Sequence, residues 1–386
     1  MHCQFRNVND AFAGSVASFS GEAGPIVRTT SRAGDVLQYQ APVIFTFERP
    51  MERVLFNGER DANPFFHLFE ALWMLAGRND VAPLAFYNSQ IADIASDDGL
   101  TFNGAYGYRW RRACRHLRTC YEGEDGNGPP TVTEKSVDQL DLLAIHLRKK
   151  ADTRRAVLQM WNVEDDLLKI DETKDVCCNT CVYFLRRHIE RIPGERPEDY
   201  LDMTVCNRSN DLIWGLLGAN IVHFAFLLEY MAAKIGVRPG LYHQFTNNVH
   251  VYTERFKPEI WLSDRVPDFY AGYEAEPYPL VQDVARFDLE LPIFVNDYMT
   301  EGAPCSALFQ EPFLQKVAWP AHCAFRAHKV RDYAQAVSWC GEIEASDWRI
   351  ACTNWIQKRR ANYEVMKDGA NPYLVNELER RKETAK

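Results

Sequence analysis

The run Asp175-Val-Cys-Cys-Asn-Thr-Cys181 sets adjacent thiols among polar side chains, and a cysteine thiolate is a strong nucleophile. Cys178 and Cys181 also form a CxxC, the spacing of a redox pair or of half a zinc site. Both of those readings are weak. The other cysteines supply no second CxxC, and on a strand residues three apart face opposite sides, so the two thiols do not converge. Viewed alone, the segment also fits a cysteine cluster that fills core. Elsewhere, Glu70 lies four residues after Phe66 and three before Trp73 in an otherwise apolar helical run. A carboxylate on such a face is costly unless it is used or paired. Arg154, Arg155 and Arg208 offer the planar, permanently charged donors that a phosphate monoester requires. Adjacent arginines on a strand point to opposite faces, whereas His250 and Tyr252, two apart, share one.

These residues need elements to hold them. Residues 62–77 carry the clearest helix signature: Asn63 to cap, Pro64 for the first turn, a stripe of Phe65, Phe69, Leu72, Trp73 and Ala76, and Gly77 as the stop. A second helix is expected over about 219–235, ending at Gly236. The β-branched and aromatic content of 155–161, 181–185 and 200–205 predicts strands. Segments 122–130 and 192–199 read as surface insertions, the second as a long hairpin tip. Helical material is expected around 324–364, and the tail after about 366 is charge-rich. Strands mixed with long helices, without regular βαβ alternation, place the chain in the α+β class.

Composition narrows the function. At 386 residues, with 46% hydrophobic and 25% charged, the chain can bury a full core as one large domain. The eleven cysteines are an odd number scattered without a signal-like N-terminus, which points to free thiols in a reducing compartment. No stretch is expected to reach the roughly 20 apolar residues of a membrane span. The net charge of −9 argues against a nucleic-acid surface. We therefore expect a cytoplasmic protein, of a bacterium or of a phage-infected cell, whose anionic small substrate meets a few local arginines.

A wider series follows the same order along the chain: Glu70; Tyr106-Gly-Tyr-Arg-Trp110; Asp152-Thr-Arg-Arg155 leading to Trp161-Asn162; Cys178-Asn-Thr with Phe184; Asn207-Arg-Ser-Asn-Asp211; Gly215 through Asn220-Ile221; and Asn248-Val-His-Val-Tyr252. This series resembles the thymidylate synthase superfamily, which includes phage-type and antibiotic-pathway pyrimidine nucleotide hydroxymethylases. The resemblance covers about residues 28–256. It implies a thymidylate synthase-like α+β fold over 1–386, a mixed β-sheet packed by long helices and dimerised through the sheet. Insertions are expected near 120–137 and 186–200, with a helical C-terminal extension at about 305–386.

The resemblance also implies roles. Cys178 adds to C6 of a pyrimidine, and C5 then attacks the methylene of 5,10-methylenetetrahydrofolate, the cosubstrate. Cys177 stands where the family usually has proline. Arg208 is expected to lower the Cys178 pKa. Glu70 is the general acid/base, Tyr106 helps to abstract the C5 proton, and Asn179 follows the nucleophile. Arg154 and Arg155 reach the phosphate across a C2 homodimer interface, joined by Arg208, Ser209 and Arg32, for which Arg28 competes. His250 and Tyr252 hold the sugar 3′-hydroxyl. Asp211 and Trp73 face the folate. No metal, membrane or nucleic-acid partner is implied.

Departures from the pattern bear on the product. Asn179 replaces the histidine of the methylating enzymes. Ala92 and Ala95, within Tyr87–Ala95, fall where those enzymes have two tryptophans, and their short C-terminal closing segment is not recognisable in Glu-Thr-Ala-Lys386. A wetter pocket favours water over hydride as the final reactant, so we favour hydroxymethylation of dUMP over thymidylate synthesis. An amide at Asn220 suits uracil. The chain has one residue more than usual between Arg208 and Asn220, which leaves dCMP or CMP open. A non-catalytic nucleotide-binding paralogue is the reading from another class. An S-adenosylmethionine methylase lacks support, because no strand leads into a glycine-rich loop.

Overall fold

The computed structural model describes residues 1–21, 25–31, 34–96, 98–121, 130–190, 196–263, 273, 276–299 and 309–367. Arg32, the insertion at 122–129, the hairpin tip at 191–195 and the chain end from 368 lie outside the described residues.

The strands in chain order are β1 (His2–Phe5), β2 (Ile26–Ser31), β3 (Gly34–Tyr39), β4 (Val43–Phe47), β5 (Arg115–Tyr121), β6 (Pro130–Ser136), β7 (Val157–Gln159), β8 (Asn179–Ile189), β9 (Glu198–Asn207), β10 (Asn210–Asp211), β11 (Arg238–Thr246) and β12 (Val249–Tyr252). A six-stranded sheet runs β1-β4-β11-β9-β8-β7, and a four-stranded sheet runs β10-β12-β3-β2. Both are mixed: β9 pairs parallel with β11 and antiparallel with β8, while β10 pairs parallel with β12. β5 and β6 form a separate hairpin around the first insertion. The region 186–200 is strand at both ends, because β8 continues to Ile189 and β9 starts at Glu198.

The two expected helices are Pro64–Leu75 and Ile221–Ile235. Asn63 accepts the Phe66 N–H at 3.1 Å, which satisfies one of the amides left open at a helix start. Gly77 and Gly236 follow the two helices with φ of +70° and +75°, a left-handed turn that a side chain disfavours. Phe224 packs on Tyr242 of β11, and Tyr242 on Phe47 of β4. The Ile221–Ile235 helix thus covers one face of the large sheet, and the Pro64–Leu75 helix packs on it in turn. The other face carries exposed Ile44, Val157 and Tyr183.

One expectation needs correction. Leu212–Ile235 is long and apolar enough to cross a membrane by length and composition, although most of it is buried within the protein. Its apolarity is that of a helix surrounded by core on all sides.

The C-terminal helices Trp319–Lys329 and Ser346–Lys367 pack on the back of the Glu70 helix, and Tyr333–Gly341 packs on those two. Phe65 meets Phe325 and Trp355 at ring centroid distances of 5.3 and 5.6 Å. Tyr87 reaches Nδ1 of buried His322 with its hydroxyl at 2.6 Å. The side of the Pro64–Leu75 helix away from the sheet is therefore clamped by residues from the far end of the chain.

Candidate active site

Glu70 and Trp73 come from one helix, and Asn220 and His223 from the start of its neighbour. With Tyr106 and Asp175 they line a cavity of about 170 Å³ bordered by Ile91 and Ile94. The segment Ser89–Ile94 is a short 3₁₀ turn in which Ala92 is exposed, while Ala95 is half-buried. The residues of this turn that line the cavity are Ile91 and Ile94, and neither Ala92 nor Ala95 does.

Glu70 is 9% exposed and His223 2%. Oε2 of Glu70 lies 2.9 Å from Nε2 of His223, an ion-pair distance without the alignment of a hydrogen bond. That oxygen and both imidazole nitrogens are buried with no hydrogen-bond partner among the described residues. Tyr106 stacks on Phe224. Burial, and after it the neighbouring Cys178, push its phenol well above the ordinary value, so Tyr106 works as a hydrogen-bond donor. The Trp73 N–H is held by the carbonyl and carboxylate of Asp80, each at 3.2 Å. Arg109, from the Tyr106–Trp110 motif, is a brace: its guanidinium grips both Asp166 oxygens at 2.9 and 3.0 Å.

The extra residue before Asn220 is absorbed locally. Leu212–Asn220 is a π-helical stretch, whose i→i+5 closure holds one residue more than an α-turn. Asn220 then reaches the cavity and donates Nδ2–H to Oδ1 of Asn210 at 3.1 Å. A side chain at Gly215 would collide with that Asn210 oxygen. With one N–H tied back, Asn220 keeps its carbonyl and its second N–H for a ligand.

A second cleft, of about 480 Å³, is lined by Ser31, Ser209, Asn248, His250 and Tyr252. His250 and Tyr252 stand edge to face, 5.3 Å apart, and Nδ1 of His250 lies 2.9 Å from Asn248 Oδ1. Burial lowers the His250 pKa, with Asp211 opposing, which keeps the ring neutral. Asp211 caps the π-helical stretch by accepting the Ile213 and Trp214 amides at 2.8 and 2.6 Å. Its Oδ2 is buried with no hydrogen-bond partner among the described residues, and burial raises its carboxyl above the ordinary range.

Cys178 lines neither cavity, but it is near enough to Tyr106 of the first and Tyr252 of the second to raise both phenols. Arg208 hydrogen-bonds the Cys177 and Val176 carbonyls, each at 2.9 Å. Arg208 lowers the thiol pKa, as expected, but does not set its net direction. Burial is the larger effect and raises the thiol, with Arg208 opposing it. Cys181 turns toward Cys206 instead: a hydrogen bond with Cys206 lowers it to about 6. Every described cysteine is a free thiol. Asn179 is fully buried and donates to the Cys206 carbonyl at 2.9 Å, while its own Oδ1 has no partner among the described residues.

The structure does not bring Arg154 and Arg155 to these cavities. Both are exposed, just before the edge strand β7. Arg28, the competitor of Arg32, is exposed and 3.8 Å from Asp35. Sequence reasoning missed His223 and gave Asp175 no role. A signal for His223 existed, because it follows Asn220 by three residues and so shares its helix face.

A family model described as Thymidylate synthase matches residues 62–293. A protein of Pseudomonas phage M6 described as Deoxyuridylate hydroxymethyltransferase is 39% identical over 376 residues, covering 94% of this chain and 95% of that protein. One from Bacillus phage SP01 with the same description is 36% identical over 265 residues, 67% of this chain and 63% of the relative. A Thymidylate synthase of Symbiobacterium thermophilum is 29% identical over 212 residues, 55% of this chain and 63% of the relative.

Proposed function

We propose that this chain, which belongs to the thymidylate synthase family, is a deoxyuridylate hydroxymethyltransferase that installs a one-carbon unit at C5 of dUMP and completes it with water. The observation that carries this reading is the match to the phage M6 relative over 94% of the chain, whereas the family model ends at residue 293. The C-terminal helices are thus part of what is shared with that relative.

The chain's own groups divide the work. Cys178 bonds to C6, and the carbonyl and free N–H of Asn220 meet N3–H and O4 of uracil. The neutral His250 and Tyr252 take the sugar hydroxyl in the second cleft, with Arg208 and Ser209 toward the phosphate. Tyr106 donates to the water that carries away the C5 proton, and Glu70 supplies and accepts protons around the carbon transfer. The family implies a folate cosubstrate. The Trp73 ring in the first cavity fits the flat face of a pterin, and the orphaned Asp211 Oδ2, which lines neither cavity, fits its N–H donors. When bound, methylenetetrahydrofolate supplies the carbon.

The exposed Ile44, Val157 and Tyr183 face of the large sheet fits a C2 homodimer, which would let Arg154 and Arg155 complete the neighbour's phosphate pocket. Mixing an inactive Cys178→Ala protein with an inactive Arg154→Ala/Arg155→Ala protein, after subunit exchange, is expected to restore about a quarter of parental activity. Half of the dimers are then hybrids, each with one intact site. Mixtures that stay inactive would refute shared sites.

The product itself is tested by quenching a reaction of dUMP and methylenetetrahydrofolate and weighing the nucleotide. A 5-hydroxymethyl product without dihydrofolate absorbance is expected. Thymidylate with equimolar dihydrofolate would sink the assignment.

A further inference from the structure

Hydroxymethylation, the reading on which this inference rests, ends with water attacking the new carbon, so a group must take the proton of that water. Cys178 is occupied at C6, Tyr106 stays protonated, and Asn220 faces the base. Asp175 lines the same cavity, but its carboxylate is already engaged by the Gly104 N–H at 2.7 Å. Glu70, whose Oε2 is also unpartnered, and His223 remain, and of the two His223 is the one with no part in the earlier steps. It is 2% exposed, lines the cavity with Glu70, Tyr106 and Asn220, and both its ring nitrogens are buried without a hydrogen bond among the described residues. Buried polar atoms left unmatched call for an explanation, an ordered water or ligand among them, and a cavity of about 170 Å³ has room for water, which needs only roughly 10–15 Å³.

We propose that His223 is the base that takes the proton from the attacking water, with the Glu70 carboxylate 2.9 Å away orienting its ring. A carboxylate beside one imidazole nitrogen favours the tautomer that carries its proton there, which leaves the other nitrogen to accept one. In this step the water oxygen bonds to the exocyclic carbon as its proton moves to the free imidazole nitrogen. The exocyclic C=C pair shifts toward the ring, leaving an enolate on O4. The enolate then re-forms the C5–C6 double bond as the Cys178 sulfur leaves C6 as thiolate, and the imidazolium returns its proton to solvent. Atoms and charge balance with water as the added reagent.

The test compares parent, His223→Ala and His223→Gln with C5-tritiated dUMP and methylenetetrahydrofolate in single turnover, with and without 2-mercaptoethanol as a competing nucleophile. For both variants, hydroxymethyl product is expected to fall roughly 10²–10⁴-fold, the scale of a lost general base. Tritium is still released, and the thiol captures the carbon as a thioether. Added imidazole restores product in His223→Ala, where it fits the vacated space. His223→Gln preserves volume and a polar contact to Glu70, which keeps the test valid if the alanine variant is unstable. Product and tritium release falling together in both variants, or undiminished product in His223→Gln, would overturn the role. The parental product is read first: thymidylate from the parent refutes the functional reading and this role with it, whereas hydroxymethyl product from parent and variants alike refutes only the role.

Discussion

Cys178→Ala is expected to release no tritium from C5-labelled dUMP and to form product at least roughly 10⁴ times more slowly than the parent, because every later step depends on the bond to C6. Nucleotide binding, measured by calorimetry, should survive, since Arg208, Ser209, His250, Tyr252 and Asn220 are untouched. The sign of the pH effect follows from the same thiol. Burial holds Cys178 above its ordinary pKa against the pull of Arg208, so the reactive thiolate is scarce at neutral pH and grows as pH rises. Alkylation by iodoacetamide should therefore accelerate from pH 7 to pH 9, and Arg208→Gln should slow it further at pH 7 by removing the opposing charge. Alkylation of Cys178 that is already complete and pH-independent at pH 6 would contradict this. A Cys178→Ala enzyme that still exchanges tritium would remove the nucleophile from the scheme.

Asn220→Asp is expected to reverse the choice of base. Asn210 anchors one N–H of Asn220 at 3.1 Å, and the remaining carbonyl and N–H match the N3–H and O4 of uracil. An aspartate loses both N–H donors. Its protonated form can donate to N3 of cytosine while the other oxygen accepts from the 4-amino group. A site whose buried polar groups are left unpaired rejects the wrong ligand by roughly 10⁴–10⁵, so the ratio of kcat/KM for dUMP over dCMP should fall by at least about 10³-fold. Paired kinetics with the two nucleotides would measure it. An unchanged ratio would mean that Asn220 does not read the base. Loss of both activities together would point instead to collapse of the Asn210–Asn220 pair, and Asn210→Ser would then share the phenotype.

The sequence made the elements legible wherever local chemistry decides structure. Asn63, Pro64 and Gly77 bracket the first helix, and Gly236 ends the second, because caps and left-handed stops are properties of single residues. The family was legible because its reactive residues keep their order along the chain. The electrostatics were not. Arg208 and Cys178 stand thirty residues apart in the chain and meet only because β9 returns antiparallel beside β8, and burial depends on what the whole fold stacks above the thiol, which reversed the net direction. His223 was hidden for a related reason: its meaning comes from Glu70 on another helix, and a histidine in an apolar run resembles any core residue until its neighbour is known. The surplus residue before Asn220 was visible as a count, whereas the π-helical stretch that absorbs it is a three-dimensional answer.

The clamp on the Glu70 helix has a consequence for how the protein is made. Phe65 cannot meet Phe325 or Trp355, nor Tyr87 meet His322, until the last third of the chain has left the ribosome. Contacts so distant in sequence are closed late. The nucleophile's strand and the nucleotide cleft can assemble from earlier segments, while the acid/base helix stays without its outer support until synthesis is nearly finished. A prematurely terminated chain would therefore carry a reactive cysteine without a secured Glu70, and one-carbon chemistry would begin only in full-length molecules.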